Sequence, residues 1–210
     1  MRVVYALIKL ALVAGFLMVD QLAMANSLDE LKAFSKDKQF AEGQFEQEVV
    51  SNSGKVKEKG KGVFAFSRPG KFMWNIQKPY PQLILADGKN VVSYDKDLAQ
   101  ASIRPLGKAI DSSPAALLFG NKAIDTLFNI TDQGTEDGKS WLLAKPKGNE
   151  TLFESIRIAM QNGLPVEVRI NDAMGQTTRL KLTDWKFDKR KPDAFFEFTP
   201  PSGVDVIQAK

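Results

Sequence analysis

A chain of 210 residues with 29 lysines and arginines against 25 acidic residues carries a net charge of +4, and it contains neither cysteine nor histidine. Those two absences exclude disulfides, thiolate nucleophiles, lipid attachment through a cysteine, Ser-His-Asp and Cys-His catalytic sets, and the usual zinc and iron ligands. The charge is mild and spread along the chain, so it permits contact with anionic lipid or an acidic partner without requiring either.

The chain opens with Arg2 and Lys9 around an apolar run from Val3 to Val19, followed by Asp20, Gln21 and the small-x-small triplet Ala23-Met24-Ala25. Residues 1–25 are therefore expected to be a cleaved signal peptide, because the run is short for a membrane-spanning helix and ends in a cleavage pattern. Removing 25 of the 210 residues leaves 185, residues 26–210, which is the size of a single domain. Two basic residues and one acidic residue leave with the signal, so the mature chain is +3.

Ser27-Leu28-Asp29-Glu30 reads as a capping box, and Leu28, Leu31 and Phe34 then give a helix to about Phe40 an apolar stripe. From Gly43 the pattern changes to short alternating segments. SNSGK at 51–55 and Asp87-Gly88 read as hairpin turns, and the two prolines of KPYP mark a loop or an edge. Lys55, Lys57, Lys59 and Lys61 share a parity with Val63, Ala65 and Ser67. That face is expected to be outward, as a solvated edge strand, with Phe64 and Phe66 inward.

In GVFAFSRPGKFMW, Arg68 falls on the phenylalanine face. If Pro69-Gly70 keeps the register, Phe72, Trp74 and Ile76 share that face too. Ser112-Ser113-Pro114 reads as a second helix start, followed by AALLFG with Gly120 as its stop, so Leu117, Leu118 and Phe119 supply a second apolar underside. After Asn129 the β pattern returns to the end of the chain. The expected fold is mainly β (α+β), an unclosed antiparallel β-barrel of about ten to eleven strands. The helical segments are the available lids over its apolar inner face.

The run GVFAFSRPGKFMWNIQKPYPQLILADGKNVVSYDKDLAQ and the ending FEFTPPSGVDVI resemble the periplasmic outer-membrane lipoprotein carrier proteins, the LolA family. The resemblance implies a half-barrel with helical lids over a hydrophobic cavity, no enzymatic activity and no cofactor. It implies a periplasmic monomer that takes lipoprotein acyl chains from an inner-membrane ABC-type lipoprotein-releasing transporter to an outer-membrane lipoprotein receptor. It places Arg68 at the family's arginine that hydrogen-bonds the lid backbone and keeps the empty form closed. Phe64, Phe66, Phe72, Trp74 and Ile76 are then the acyl-chain cavity, and Leu28, Leu31, Phe34, Leu117, Leu118 and Phe119 the lid underside. Met73 stands where relatives carry a basic or polar residue, on the outward parity, where it bears on partner contacts rather than the cavity.

Parity alone leaves Arg68 two readings, a side chain that snorkels out at the end of a sheet or one that clasps a lid, and the resemblance favours the clasp. Two further readings differ in class. One is a carrier or sensor of another hydrophobic ligand on the same fold. The other is a carboxylate-based hydrolase, although Asp95 with Asp97 and Glu136 with Asp137 sit in turns where acidic residues are ordinary. No phosphate loop, nucleic-acid motif or metal-ligand spacing is present.

Overall fold

Residues 26–106, 118, 124–148 and 153–208 are described in the computed structural model. The expected signal peptide and the helix start at Ser112, with Leu117 and Phe119, lie outside the described residues. Helix α1 spans Ser27–Asp37. Strands β1 (Phe40–Val50), β2 (Val56–Ser67), β3 (Lys71–Lys78), β4 (Gln82–Asp87), β5 (Asn90–Asp95) and β6 (Gln100–Pro105) follow in sequence. After a short helix α2 (Ile124–Leu127) come β7 (Phe128–Glu136), β8 (Lys139–Pro146), β9 (Phe153–Gln161), β10 (Leu164–Asp172) and β11 (Thr177–Lys186). A 3-10 turn at Asp193–Phe196 then leads to β12 (Asp205–Gln208).

These strands form one sheet in the order β12-β6-β5-β4-β3-β2-β1-β11-β10-β9-β8-β7. Its two ends, β12 and β7, are not paired with each other among the described residues, so the sheet curls without closing. The strand count is twelve rather than ten or eleven, and one neighbouring pair, β12 with β6, is parallel.

Local chemistry sets the hairpins. At Asp87-Gly88 the carboxylate accepts from the N–H groups of Lys89 and Asn90, each at 2.7 Å, and Gly88 takes φ +95°. That is the left-handed region where a side chain is strained, so the turn demands its glycine. Gly43 has a different reason. A Cβ there would stand 2.5 Å from the Phe64 ring and 2.8 Å from the Thr183 carbonyl oxygen. Its missing side chain is the space that Phe64 fills.

Helix α1 starts one residue earlier than a Ser27 cap implies. Asn26 is the N-cap, its side chain accepting from the Leu28 N–H at 2.9 Å. Ser27 is buried, and both its N–H (3.0 Å) and its hydroxyl (2.7 Å) donate to Asp132 on β7. The serine therefore docks the helix onto the sheet and does not complete a capping box.

Two apolar clusters lie on opposite faces of the sheet. The concave one contains Leu31 and Phe34 of α1, Phe45, Phe64, Phe66 and Phe72 of β1–β3, and Leu142, Ile156, Ile158, Met160 and Val168 of β8–β10. The convex one is built on Ala65, Leu85, Val92 and Ala101, and is sealed by Phe196 with Phe198 and Val204 of the C-terminal segment.

The second cluster corrects two expectations. The parity of Val63, Ala65 and Ser67 is outward, but this face is not solvated, since Ala65 and Ser67 are each 1% exposed. Met73, on the same face, is half-buried and packs against the convex cluster. The reason is the return of the chain end across the sheet, which alternation within β2 cannot reveal. Nor is β2 an edge strand throughout: β1 flanks its whole length and β3 joins it from Lys61 to Ser67.

Candidate functional site

The turn between β2 and β3 passes through a cis Arg68–Pro69 bond and Gly70 at φ +73°. It keeps the register. Phe66 stands opposite Phe72, Phe64 opposite Trp74, and Gly62 opposite Ile76, so Phe64, Phe66, Phe72, Trp74 and Ile76 share the concave face. The phenylalanines are nearly sealed from solvent, while Trp74 and Ile76 are half-buried at the cluster's margin. Phe45 stacks on Trp74 with ring centroids 3.8 Å apart, and Phe34 meets Phe66 edge-on at 6.1 Å.

Phe45, Trp185 and Phe187 belong to this face although no sequence pattern singled them out. In β11, Leu180 and Leu182 point inward, so strict alternation aims Trp185 outward. A register shift opposite Glu42–Gln44, with Asp184 at φ +52°, reverses the parity. Trp185 then packs against Phe34 (5.5 Å) and Phe64 (4.7 Å), and its buried indole N–H has no hydrogen-bond acceptor among the described residues.

Arg68 is 8% exposed and lies at the seam between helix and sheet. Its Nε donates to the carbonyl of Lys38, the residue that ends α1, at 3.0 Å. Its Nη2 donates to the carbonyl of Leu118, and its backbone N–H to Gln39 at 2.8 Å. The guanidinium carbon is 4.8 Å from the Phe66 ring centroid and 5.6 Å from that of Phe34. Carbonyls at a helix end lack intrahelical donors, which makes them natural acceptors for a fork of N–H groups. Burial pushes the guanidinium down to about 10, so it keeps its proton at neutral pH.

The gain from the two hydrogen bonds exceeds the cost of burying the charge by a small margin. The fall to about 10 corresponds to a desolvation cost on the order of 3 kcal/mol. Hydrogen bonds to a charged group return roughly 1.5–3 kcal/mol each. A contact so poised can be broken and remade.

Among the helix residues, Leu31 and Phe34 are buried against the concave cluster, as is Leu118. Leu28 is half-buried and outside it. The helix is held at both ends, by Asp132 at its start and by Arg68 at its finish. Hydrogen bonds from the Ser27 hydroxyl first, then from the Gly134 N–H, hold the Asp132 carboxyl below its ordinary 3.8. A depressed carboxylate contributes its full stability above the unfolded value and loses it as pH falls through the folded one. Replacing Asp132 with asparagine is therefore expected to lower the urea midpoint at pH 7, with the gap from the unmodified protein shrinking below about pH 4. Urea titrations at pH 7, 5 and 3 check this.

The architecture is a half-barrel, open at both edges, whose apolar concave face is roofed by a helix. Solved structures of this class resemble it. A conserved protein from Thermus thermophilus superposes with a TM-score of 0.56 at 13% identity, covering 87% of this chain and 99% of that one. A LolA superfamily protein from Nitrosomonas europaea superposes with 0.52 at 10% identity, covering 81% and 96%.

Residues 37–199 match the model of the family described as outer membrane lipoprotein carrier protein LolA. The outer-membrane lipoprotein carrier protein of Bordetella avium is 42% identical over 205 residues, 97% of this chain and 98% of that protein. That of Dechloromonas aromatica is 38% identical over 192 residues, 91% and 92% of the two chains. The chain belongs to the LolA family of outer membrane lipoprotein carriers.

Proposed function

We propose that this chain is a non-enzymatic periplasmic chaperone that shelters the acyl chains of lipoproteins between the concave face and its helical cover. Residues 1–25 serve as the leader removed on export. Cargo arrives from an inner-membrane ABC-type transporter and leaves to an outer-membrane receptor, with no cofactor bound and no nucleotide hydrolysed by the carrier. Phe64, Phe66, Phe72, Trp74 and Ile76 line the acyl site, Leu31, Phe34 and Leu118 face it from the cover, and Arg68 is the clasp between them.

The observation that carries this reading is the seam at Arg68. A buried cation joins the end of α1 and the carbonyl of Leu118 to the strand whose phenylalanines form the apolar floor. An ordinary core has no use for a charged fastener along its lid. A core that must open to admit hydrocarbon does.

Depletion of the protein from its source cell is expected to hold lipoproteins at the inner membrane, read by fractionating labelled lipoproteins. Native mass spectrometry of the protein from its own periplasm is expected to show bound triacylated or diacylated polypeptide. Free lipid in its place would shift the reading to a carrier of another hydrophobic ligand.

A further inference from the structure

Strand β2 is only half covered. β1 runs beside it from Val56 to Ser67, whereas β3 joins only at Lys61. β3 stops there because the chain continues through Pro79 and Pro81, which have no N–H to extend a ladder. From Val56 to Gly60, the side of β2 away from β1 has no strand partner among the described residues.

Along this stretch Lys59 and Lys61 stand two residues apart on the outward face, Lys57 lies exposed at a β-bulge between Val56 and Glu58, and Lys61 faces Lys78 directly across the ladder. Like charges in that relation cost stability. Among the described residues Lys59 pairs with Glu48 at 2.7 Å, while no ion pair engages Lys57, Lys61 or Lys78. The edge and the Lys78-Pro79-Tyr80 corner form one rim of an open hollow of about 1110 Å³ that extends away from the edge across β1, β10 and β11, where Leu180 and Leu182 line it. Seven basic side chains line it against four acidic ones. Tyr80, at its rim, is 71% exposed.

We propose that the Val56–Gly60 edge is a docking site for an extended acidic segment of a partner protein, which adds to β2 as a further strand. The free N–H and C=O groups supply its backbone partners, and the lysine comb meets carboxylates at every second position of the incoming segment. The two-residue spacing is what selects the sequence: acidic residues in alternation face the comb, and the positions between them face the row of Glu58. The same comb repels a second copy of this edge, so the feature that prevents self-pairing also chooses the partner. A membrane fits less well, because a plane of headgroups offers no ladder of backbone groups.

The probe is a capped ten-residue peptide of alternating threonine and glutamate, followed by fluorescence anisotropy on the full mature chain. It is expected to bind at least about ten-fold more tightly than its threonine-lysine counterpart, and to weaken with salt. N-methylation of every second peptide nitrogen on the probe's pairing edge is expected to cost about ten-fold or more. The surface variant Lys57→Glu, Lys59→Glu, Lys61→Glu is expected to reverse the preference. Equal binding of the two peptides, or full binding of the N-methylated probe, would overturn the proposal. So would binding to phosphatidylglycerol vesicles without binding to the acidic peptide.

Discussion

Arg68→Leu is expected to take up acylated cargo as well as the unmodified protein or better, and to pass it on about ten-fold or more slowly. Burying an acyl methylene is worth about 0.8 kcal/mol, so a chain of about fifteen carbons carries about 12 kcal/mol gross. A site that kept all of it would not release. A favourable closed state of the empty carrier subtracts from cargo affinity, as for any ligand that binds a less populated conformation.

In the closed arrangement Arg68 bridges the end of α1 and Leu118 to the sheet. Leucine fills some of the same volume but leaves the carbonyls of Lys38 and Leu118 without this donor, so the open form gains. A shift of about 1.4 kcal/mol in that balance is the ten-fold expected. Transfer of a fluorescent lipopeptide to receptor-bearing liposomes measures it, and an unchanged rate would remove the clasp from the mechanism. Arg68→Lys should fall between, because an ammonium on a flexible stem does not span two carbonyls as a planar fork does.

Gly62→Ala should be the most damaging small substitution in the sheet, lowering stability by about 3 kcal/mol or more. A Cβ at Gly62 would lie 1.9 Å from the Asn75 carbonyl oxygen, 2.8 Å from its carbon and 3.0 Å from the Ile76 Cα. All three are backbone atoms of β3, at the point where the β2–β3 register shifts between Lys61 and Gly62. No rotamer change relieves such a clash, so the strands must part beside Phe64 and Trp74. Gly60→Ala is the matched control. The atoms nearest its Cβ all belong to the flexible Gln47 side chain, from 3.1 Å, and the expected loss is under about 1 kcal/mol. Denaturant midpoints of the two variants decide between a clash specific to the bulge and a general cost of alanine for glycine in a strand.

Much of the concave face was legible because strands obey a period of two. Phe64, Phe66, Phe72, Trp74 and Ile76 were assigned together on the condition that Pro69-Gly70 keeps the register, and the pairing of Phe66 with Phe72 meets that condition. Trp185 was not legible, because the bulge at Asp184 reverses the very alternation on which the reading depends. Ser27 was misplaced for a related reason. Its spacing to Glu30 fits a capping box, yet Asp132, more than a hundred residues away, offers the buried hydroxyl a charged acceptor.

By itself the sequence determined the elements that local rules govern: a helix before a run of short antiparallel strands, the hairpin turns, the inward aromatic set and the absence of cysteine and histidine chemistry. Only the tertiary structure decided what covers each face. Covering depends on contacts between segments far apart in the chain, and alternation within a strand carries no information about them. It brought Phe196 and its neighbours over Ala65, and left Val56–Gly60 without a second strand neighbour among the described residues. It also set Arg68 against the end of α1, where a charge on a greasy face finds the carbonyls that justify it.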